Sequence, residues 1–146
     1  MVLRSIVEKF GLLDNRFFMY YEEVEWCGRM QSQGFKVMVI PKAKAWHKII
    51  PAARDESPFV HYLMTRNRLL WLRSKSFDKK VFWRVLFLEN IRTLLSWTLR
   101  PKWRHKKAQR QAMLLAIFDL FRNQFGPPIL ENRPQNREIL LEGIIQ

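Results

Sequence analysis

Three glutamates stand within four positions, directly after an aromatic run, in the stretch FFMYYEEVEWCGRM at residues 17–30. A carboxylate beside aromatic rings is partly desolvated, which makes it a better proton acceptor for general-base chemistry. The same residues also suit the first turn of a helix, where negative charge complements the helix dipole. Residue types alone therefore leave Glu22, Glu23 and Glu25 open to both interpretations, and composition favours the helix start.

Two further features could do chemistry. His47, in the stretch AWHK, is a lone histidine at the end of a predicted strand; most such residues are structural, although imidazole is also a common metal ligand. Arg66 and Asn67 are adjacent in a predicted helix, where an ordinary polar surface is the simplest interpretation. The single cysteine, Cys27, excludes an internal disulfide framework and a multi-cysteine zinc site, and we expect a reducing compartment.

The composition predicts a folded, strongly basic protein. The 146 residues are 48% hydrophobic and 14% aromatic, which is too apolar for a disordered chain. No secretory signal and no uncharged apolar run of about 18 residues is present, so we expect no membrane-spanning helix. Of the net charge of +13, residues 79–111 contribute ten basic residues against one acid, Glu89. This segment predicts an anionic partner.

The first third of the chain predicts mixed secondary structure. Ser5 to Glu8 has the spacing of a capping box and predicts a short helix that ends at Gly11. A second helix is predicted from Glu22 to Gln33, ended by Gly34. The segment Phe35 to Ile40 is rich in β-formers, and the alternation around His47 predicts a second short strand.

The remainder predicts helices. The Ser57-Pro58 pair suits an N-cap and first turn, so a helix is expected through Ser74, followed by helices at residues 79–100 and 102–125. The sequence Gly126-Pro127-Pro128 ends the last of them.

These elements predict three segments and an α/β fold class. Residues 1–50 are expected to form the end of an α/β domain, residues 51–126 a basic amphipathic helical region, and residues 127–146 a loosely held tail. Two short strands do not make a self-sufficient sheet, so the first segment predicts an incomplete domain whose beginning is absent.

The order of residues in the stretch GLLDNRFFMYYEEVEWCGRMQSQGFKVMVIPKAKAWHK resembles glycosyltransferase family 2, particularly its rhamnosyltransferase-like members. The resemblance is specific at residues 11–47 and 58–73, where the second block includes the Arg66-Asn67 pair. The positions that match the family pattern in the first block are Gly11, Asp14, Phe17, Phe18, Tyr20, Glu22, Cys27, Arg29, Gly34, Pro41 and His47.

The resemblance implies an inverting, nucleotide-sugar-dependent transferase with a GT-A (Rossmann-like) fold, of which residues 1–50 would be the C-terminal part. One carboxylate would deprotonate the acceptor hydroxyl as it attacks the anomeric carbon. By position this base is Glu23, with Glu22 beside it. Both stand where the family pattern has a Glu-Asp pair, so Glu23 is one methylene longer than the family's aspartate.

The resemblance also implies a donor site formed by residues absent from this sequence. In the family, the first half of the domain holds the nucleotide and a divalent metal, Mg or Mn, through an Asp-x-Asp motif. We therefore expect the chain to need a missing N-terminal half and to be inactive alone. By resemblance His47 would lie near the phosphates and the metal, whereas Tyr20, Tyr21, Arg66 and Asn67 would be acceptor-side or structural.

The basic helices predict partners of their own. Polar residues recur at multiples of four in the helix at residues 79–100, and aromatic residues accompany them; the polar set is Lys80, Arg84, Arg92, Ser96 and Arg100. This pattern suits an interfacial helix on anionic lipid or a helical hairpin with a solvated basic rim.

We expect a cytoplasmic protein, peripheral on the inner face of the cell membrane, that takes a nucleotide-sugar donor and a polysaccharide or lipid-linked glycan acceptor. The alternative is a non-catalytic basic protein that binds membrane or nucleic acid. The sequence disfavours nucleic acid because it contains no helix-turn-helix, zinc-finger or RNP-like pattern.

Overall fold

The computed structural model describes residues 2–46, 57–74 and 79–128, and these residues form helices joined by turns and irregular segments. The first two helices are α1 (Arg4–Phe10) and α2 (Glu22–Ser32). After α3 (Pro58–Ser74), a single rod is built from α4 (Lys79–Arg84), a π-helical segment (Val85–Ile91) and α5 (Arg92–Leu99). A 3₁₀ helix (Pro101–Lys106) then leads into α6 (Lys107–Phe121).

The predicted α/β fold class is wrong for the described part of the chain, which contains no strand and no sheet, and an incomplete Rossmann-like domain is therefore not seen. The predicted strand Phe35 to Ile40 is irregular, and its apolar side chains lie in solvent, with Met38 74% and Val39 90% exposed. A β-rich segment becomes a strand only when a second backbone pairs with it, and no described segment does so here. The second predicted strand runs into residues 47–50, which lie outside the described residues.

Glycines end the first two helices as predicted. Gly11 has φ +76° and donates its N–H to the Val7 carbonyl, and Gly34 has φ +84° and donates to the Gln31 carbonyl. Both φ values lie in the left-handed region that favours glycine. The predicted capping box does not form, because Leu3 is the N-cap of α1 and makes no side-chain cap bond.

The core lies mainly between α3 and α6. The largest buried cluster comprises Phe17, Leu69, Leu70, Leu72, Phe82, Val85, Leu86 and Leu120. A second cluster comprises Phe59, Tyr62, Leu63, Ala112 and Ala116. Ser57 accepts a hydrogen bond from the Val60 N–H at 3.4 Å, so it caps α3 as predicted. The small residues Ala112 and Ala116 let the two helices approach closely.

The rod at residues 79–99 buries one face and exposes another. Every fourth residue is buried along one line: Phe82, Leu86, Asn90 and Leu94. The residues that follow these four, together with Leu99 one step further along, form an apolar stripe that is exposed except for the half-buried Ile91; its members are Trp83, Phe87, Ile91, Leu95 and Leu99. In a regular α-helix a spacing of four drifts by about 40° per step. The wider turn of the π-helical segment offsets that drift, so both lines stay aligned.

The third predicted helix of the basic region begins with a 3₁₀ turn and ends earlier than expected, at Phe121. Gly126 has φ +81° and donates its N–H to the Arg16 carbonyl at 2.9 Å. This hydrogen bond joins the segment after α6 to the segment between α1 and α2. The tail from residue 129 lies outside the described residues, and the division into segments 1–50, 51–126 and 127–146 stays a prediction. None of the described helices combines the length and the hydropathy that crossing a bilayer requires.

Packing between α3 and α6 predicts that two leucine-to-alanine substitutions lower the free energy of unfolding by very different amounts. Leu63 is fully buried, whereas Leu114 on α6 is 52% exposed. Replacing Leu63 with alanine is expected to lower the free energy of unfolding by about 2–5 kcal/mol, because it leaves a cavity in the second cluster. The matched change Leu114→Ala is expected to cost well under about 1 kcal/mol. Chemical denaturation of both variants measures the two values, and equal losses would contradict this packing.

Candidate functional site

A left-handed backbone precedes the acidic helix α2. Residues 17–21, here called the aromatic turn, contain three non-glycine residues with positive φ: Phe18 at 63°, Tyr20 at 66° and Tyr21 at 71°. Each such residue costs on the order of 1 kcal/mol or more, so surrounding contacts must stabilise the turn. Phe17 is fully buried in the core and anchors its first position.

Asn67 supplies the main polar contacts to this turn. Its side-chain nitrogen lies 2.7 Å from the Phe17 carbonyl oxygen, 2.8 Å from that of Met19 and 2.9 Å from that of Tyr20. An amide has two N–H hydrogens, so one hydrogen is shared between two of these acceptors. Asn67 is completely buried, and it therefore acts as a fixed template on which the aromatic turn is folded.

Arg66 extends the same contacts through the interior. Its Nε donates to Asn67 Oδ1 at 3.0 Å, its Nη1 to the Tyr62 hydroxyl at 3.1 Å and its Nη2 to the Gly126 carbonyl at 2.8 Å. The Tyr62 hydroxyl in turn donates to Asp119 Oδ2 at 2.8 Å. A buried guanidinium needs hydrogen-bond acceptors and a compensating negative charge. Both are supplied within a polar network of four residues, Tyr62, Arg66, Asn67 and Asp119.

The aromatic turn fixes where α2 begins. Tyr21 is the N-cap residue, and its carbonyl accepts the Glu25 N–H at 2.8 Å. No side chain caps this helix end, so the acidic first turn and the backbone of the aromatic turn define it. The polar network on α3 thereby determines where the three glutamates stand.

The three glutamates have different environments. Glu25 is buried, and its Oε2 lies 3.2 Å from Arg29 Nη2. Arg29 also donates to the Phe10 carbonyl and, at 2.8 Å, to the Leu12 carbonyl, so this pair ties α2 to the loop after α1. Glu25 is therefore a buried residue that supports the structure.

Glu22 and Glu23 remain available for chemistry. Glu23 is exposed on the first turn of α2. Glu22 is half-buried, and its Oε2 has no hydrogen-bond partner within the described part of the chain. It lines an acidic cleft of about 290 Å³ whose walls are Leu13, Asp14, Asn15, Phe18, Glu22 and Pro127. The cleft is thus built from the loop before the aromatic turn, the turn itself and the segment after α6.

The second carboxylate of the acidic cleft is already paired. Asp14 Oδ2 lies 2.6 Å from Arg16 Nη2, and its Oδ1 accepts the Arg16 backbone N–H at 2.9 Å. The hydrogen bonds from Arg16 hold the pKa of Asp14 below its usual value. Asp14 therefore stays ionised and is held by Arg16, whereas Glu22 forms no ion pair in the described part of the chain.

The remaining predicted residues serve the structure where they are described. Tyr20 packs against the second cluster, and Tyr21 packs against Trp71 with ring centroids 6.1 Å apart. His47 lies outside the described residues. Within residues 2–46, 57–74 and 79–128, no group of three or more histidine, cysteine or acidic side chains is placed to hold a metal ion.

Sequence reasoning missed Tyr62 and Asp119. A signal existed for both, because Tyr62 stands four residues before Arg66 on one helix face and Asp119 is the only acid in α6. An isolated acid in an apolar helix requires a partner, and a buried arginine is a natural one.

Comparison with known proteins finds glycosyltransferases. The chain is 36% identical over 83 residues to the low-salt glycan biosynthesis hexosyltransferase Agl10 of Haloferax volcanii, which covers 54% of this chain and 27% of that protein. It is 33% identical over 84 residues to the dTDP-rhamnosyl transferase RfbF of Shigella flexneri, which covers 50% of this chain and 27% of that protein. No family model and no solved structure matches.

About half of the chain is therefore a glycosyltransferase-like region, and the chain spans about a quarter of the length of these two relatives. The resemblance predicted from residue order is confirmed at this level.

The template role of Asn67 predicts a specific loss of stability. Asn67→Ala leaves the carbonyls of Phe17, Met19 and Tyr20 without their donor, and we expect the free energy of unfolding to fall by about 3 kcal/mol. Asn15→Ala, at an exposed position of the same loop, is the matched control and should change it by less than about 0.5 kcal/mol. Similar values for both variants would show that the aromatic turn does not depend on Asn67.

The polar network predicts alkaline sensitivity. Burial, with the nearby charge of Asp119, raises the pKa of Tyr62 from 10 to about 12. The neutral phenol is favoured in the folded state, so its contribution is complete below pH 10 and is lost as the pH rises towards 12. Denaturation from pH 8 to 12 should show this loss, and Tyr62→Phe should reduce it. An unchanged pH profile in Tyr62→Phe would contradict the prediction.

Proposed function

We propose that this chain is the acceptor-side part of an inverting, nucleotide-sugar-dependent glycosyltransferase that builds a polysaccharide or a lipid-linked glycan. The observation that supports this most is the identity with a hexosyltransferase and a rhamnosyltransferase over half of the chain. The aromatic turn and the start of α2 add a physical reason, because they present two adjacent carboxylates at and beside a cleft. Rhamnose or another hexose is the proposed sugar.

The proposed step is a single displacement. The acceptor hydroxyl attacks the anomeric carbon of the donor, the bond from that carbon to the nucleoside diphosphate breaks, and a carboxylate accepts the hydroxyl proton. Glu23 is the base by its position in the family-2 resemblance. Glu22 stands next to it and lines the acidic cleft, so we propose that this residue contacts the acceptor sugar.

We propose that a donor-binding half completes the enzyme and that this chain alone does not transfer sugar. The chain matches about a quarter of each relative's length. From the family resemblance we propose that the donor-binding half holds the nucleotide with magnesium or manganese, and that His47 of this chain lies near it.

The proposed location is the cytoplasmic side of the cell membrane, with peripheral attachment. The ten basic residues at positions 79–111 favour an anionic surface, and the exposed apolar stripe lies within the same segment. The alternative function, a non-catalytic basic protein that binds membrane or nucleic acid, shares this surface but assigns no role to Glu22 and Glu23.

Substitution of the proposed base tests the function. In the complete enzyme, Glu23→Gln keeps the size of the side chain but removes its capacity to accept a proton, so kcat should fall by about 10²–10⁴-fold. Donor affinity should not change, because the donor is bound elsewhere. Steady-state transfer assays with nucleotide-sugar titration measure both quantities.

The matched control is Glu8→Gln, which removes the same charge from an exposed position on α1 and should leave kcat unchanged. If Glu22→Gln abolishes transfer while Glu23→Gln does not, the base is Glu22 and the assignment to Glu23 is wrong. If both variants retain full activity, the carboxylate mechanism is wrong and the non-catalytic alternative gains support.

A further inference from the structure

A second cleft lies between α5 and the 3₁₀ helix. Its volume is about 380 Å³, and its walls include two arginines, two hydroxyl side chains and two indole rings, from Arg92, Arg100, Thr93, Ser96, Trp97 and Trp103. Arg92, Ser96 and Arg100 follow one another at intervals of four residues, so they lie along one side of the helix and just past its end. We call this site the arginine cleft.

The two arginines of the arginine cleft have no carboxylate partner among the described residues. The one carboxylate in its wall, that of Glu89, is paired with Arg68 Nη1 at 2.6 Å. Arg92 and Arg100 are both exposed, and no carboxylate in the described part of the chain forms an ion pair with either. Planar guanidinium groups bind phosphate oxygens in a bidentate manner, and neighbouring hydroxyls can donate to the same oxygens.

The arginine cleft lies directly beside the apolar stripe. Trp83 and Phe87 stack at 5.7 Å between ring centroids, and Phe87, Leu95 and Leu99 are 55%, 54% and 75% exposed. Four of the five stripe residues are followed in sequence by a polar residue, and Phe87 is the exception; the four followers are Arg84, Arg92, Ser96 and Arg100. On the helix surface these polar residues therefore run alongside the stripe. An exposed apolar line with a cationic border suits a lipid interface, where apolar side chains enter the headgroup boundary and basic groups contact phosphate.

We propose that the arginine cleft binds the phosphate of an anionic lipid headgroup while the apolar stripe inserts among the lipids. Lipid fits better than nucleic acid, because the indole of Trp97 already packs on two rings instead of standing free to stack on bases. It forms an edge-to-face pair with His61 at 5.6 Å and a tilted pair with Trp103 at 6.5 Å. This inference rests on the proposed location at a membrane and not on sugar transfer. A failure of vesicle binding would therefore leave the proposed sugar transfer standing. A failure of sugar transfer would likewise leave the proposed lipid site standing.

The test measures binding of the 146-residue chain to vesicles of phosphatidylcholine with and without phosphatidylglycerol. The wild-type chain should bind the anionic vesicles and not the neutral ones. Each basic residue near an anionic surface contributes about 1 kcal/mol, so the double variant Arg92→Gln/Arg100→Gln should bind the anionic vesicles roughly 10- to 30-fold more weakly.

The matched control is Lys36→Gln/Lys42→Gln, at two exposed positions outside the rod. It removes the same charge and should change binding by less than about threefold. A third variant, Phe87→Ala/Leu95→Ala, alters exposed positions and should also weaken binding, by roughly 10-fold, because it shortens the apolar stripe. All three pairs include exposed positions, so circular dichroism should show unchanged folding.

Four results would overturn the proposal. Equal losses in the arginine and lysine variants would show that net charge alone attracts the chain. Equal binding to neutral vesicles would exclude headgroup recognition. Calorimetric binding of inorganic phosphate with an affinity equal to that for the anionic vesicles would identify free phosphate as the ligand. Tighter binding to single-stranded RNA than to the vesicles, with the same loss in the arginine variant, would identify nucleic acid.

Discussion

The side-chain amide of Asn67 is the contact on which the arrangement of the candidate site depends. It supplies hydrogen-bond donors to three carbonyls of a five-residue turn that contains three left-handed, non-glycine residues. Such a turn is unfavourable in isolation, because each positive φ places Cβ close to the following carbonyl. The amide and the buried Phe17 ring offset that cost, and the acidic helix starts where the turn ends. A residue in the middle of α3 thereby positions carboxylates more than forty residues earlier in the sequence.

The same contact is part of a charge-balanced interior. Arg66 fixes the orientation of the Asn67 amide by donating to its oxygen, and it also donates to the Gly126 carbonyl in the segment after α6. Asp119 on α6 balances the arginine through the Tyr62 hydroxyl. Removing one member of a buried ionic network leaves the others unsatisfied, so the network specifies one relative placement of α3, α6 and the aromatic turn. The acidic cleft is a consequence, since its walls come from segments on both sides of this network.

The sequence predicted the features that are decided locally. Gly11 and Gly34 end helices because their φ values are positive, and Ser57 caps α3; each effect requires only a few neighbouring residues. The strand at residues 35–40 was predicted wrongly, because β-propensity measures fitness for a sheet and cannot supply the partner backbone. The three glutamates were correctly placed in one helical turn. Their different environments depend on the loop after α1 and on Pro127, which no local pattern can reveal.

The two proposed activities use different parts of the chain, the acidic cleft for sugar transfer and the arginine cleft for lipid, and α3 packs between the elements that form them. The central claim is that the aromatic turn and α3 form one cooperative unit. Native-state amide hydrogen exchange tests it directly. If they form such a unit, the amides of Met19 and Glu25 exchange with an opening free energy within about 1 kcal/mol of that for Leu69 and Leu70. Exchange of the Met19 and Glu25 amides at the rate of an unstructured chain, while α3 stays protected, would contradict it.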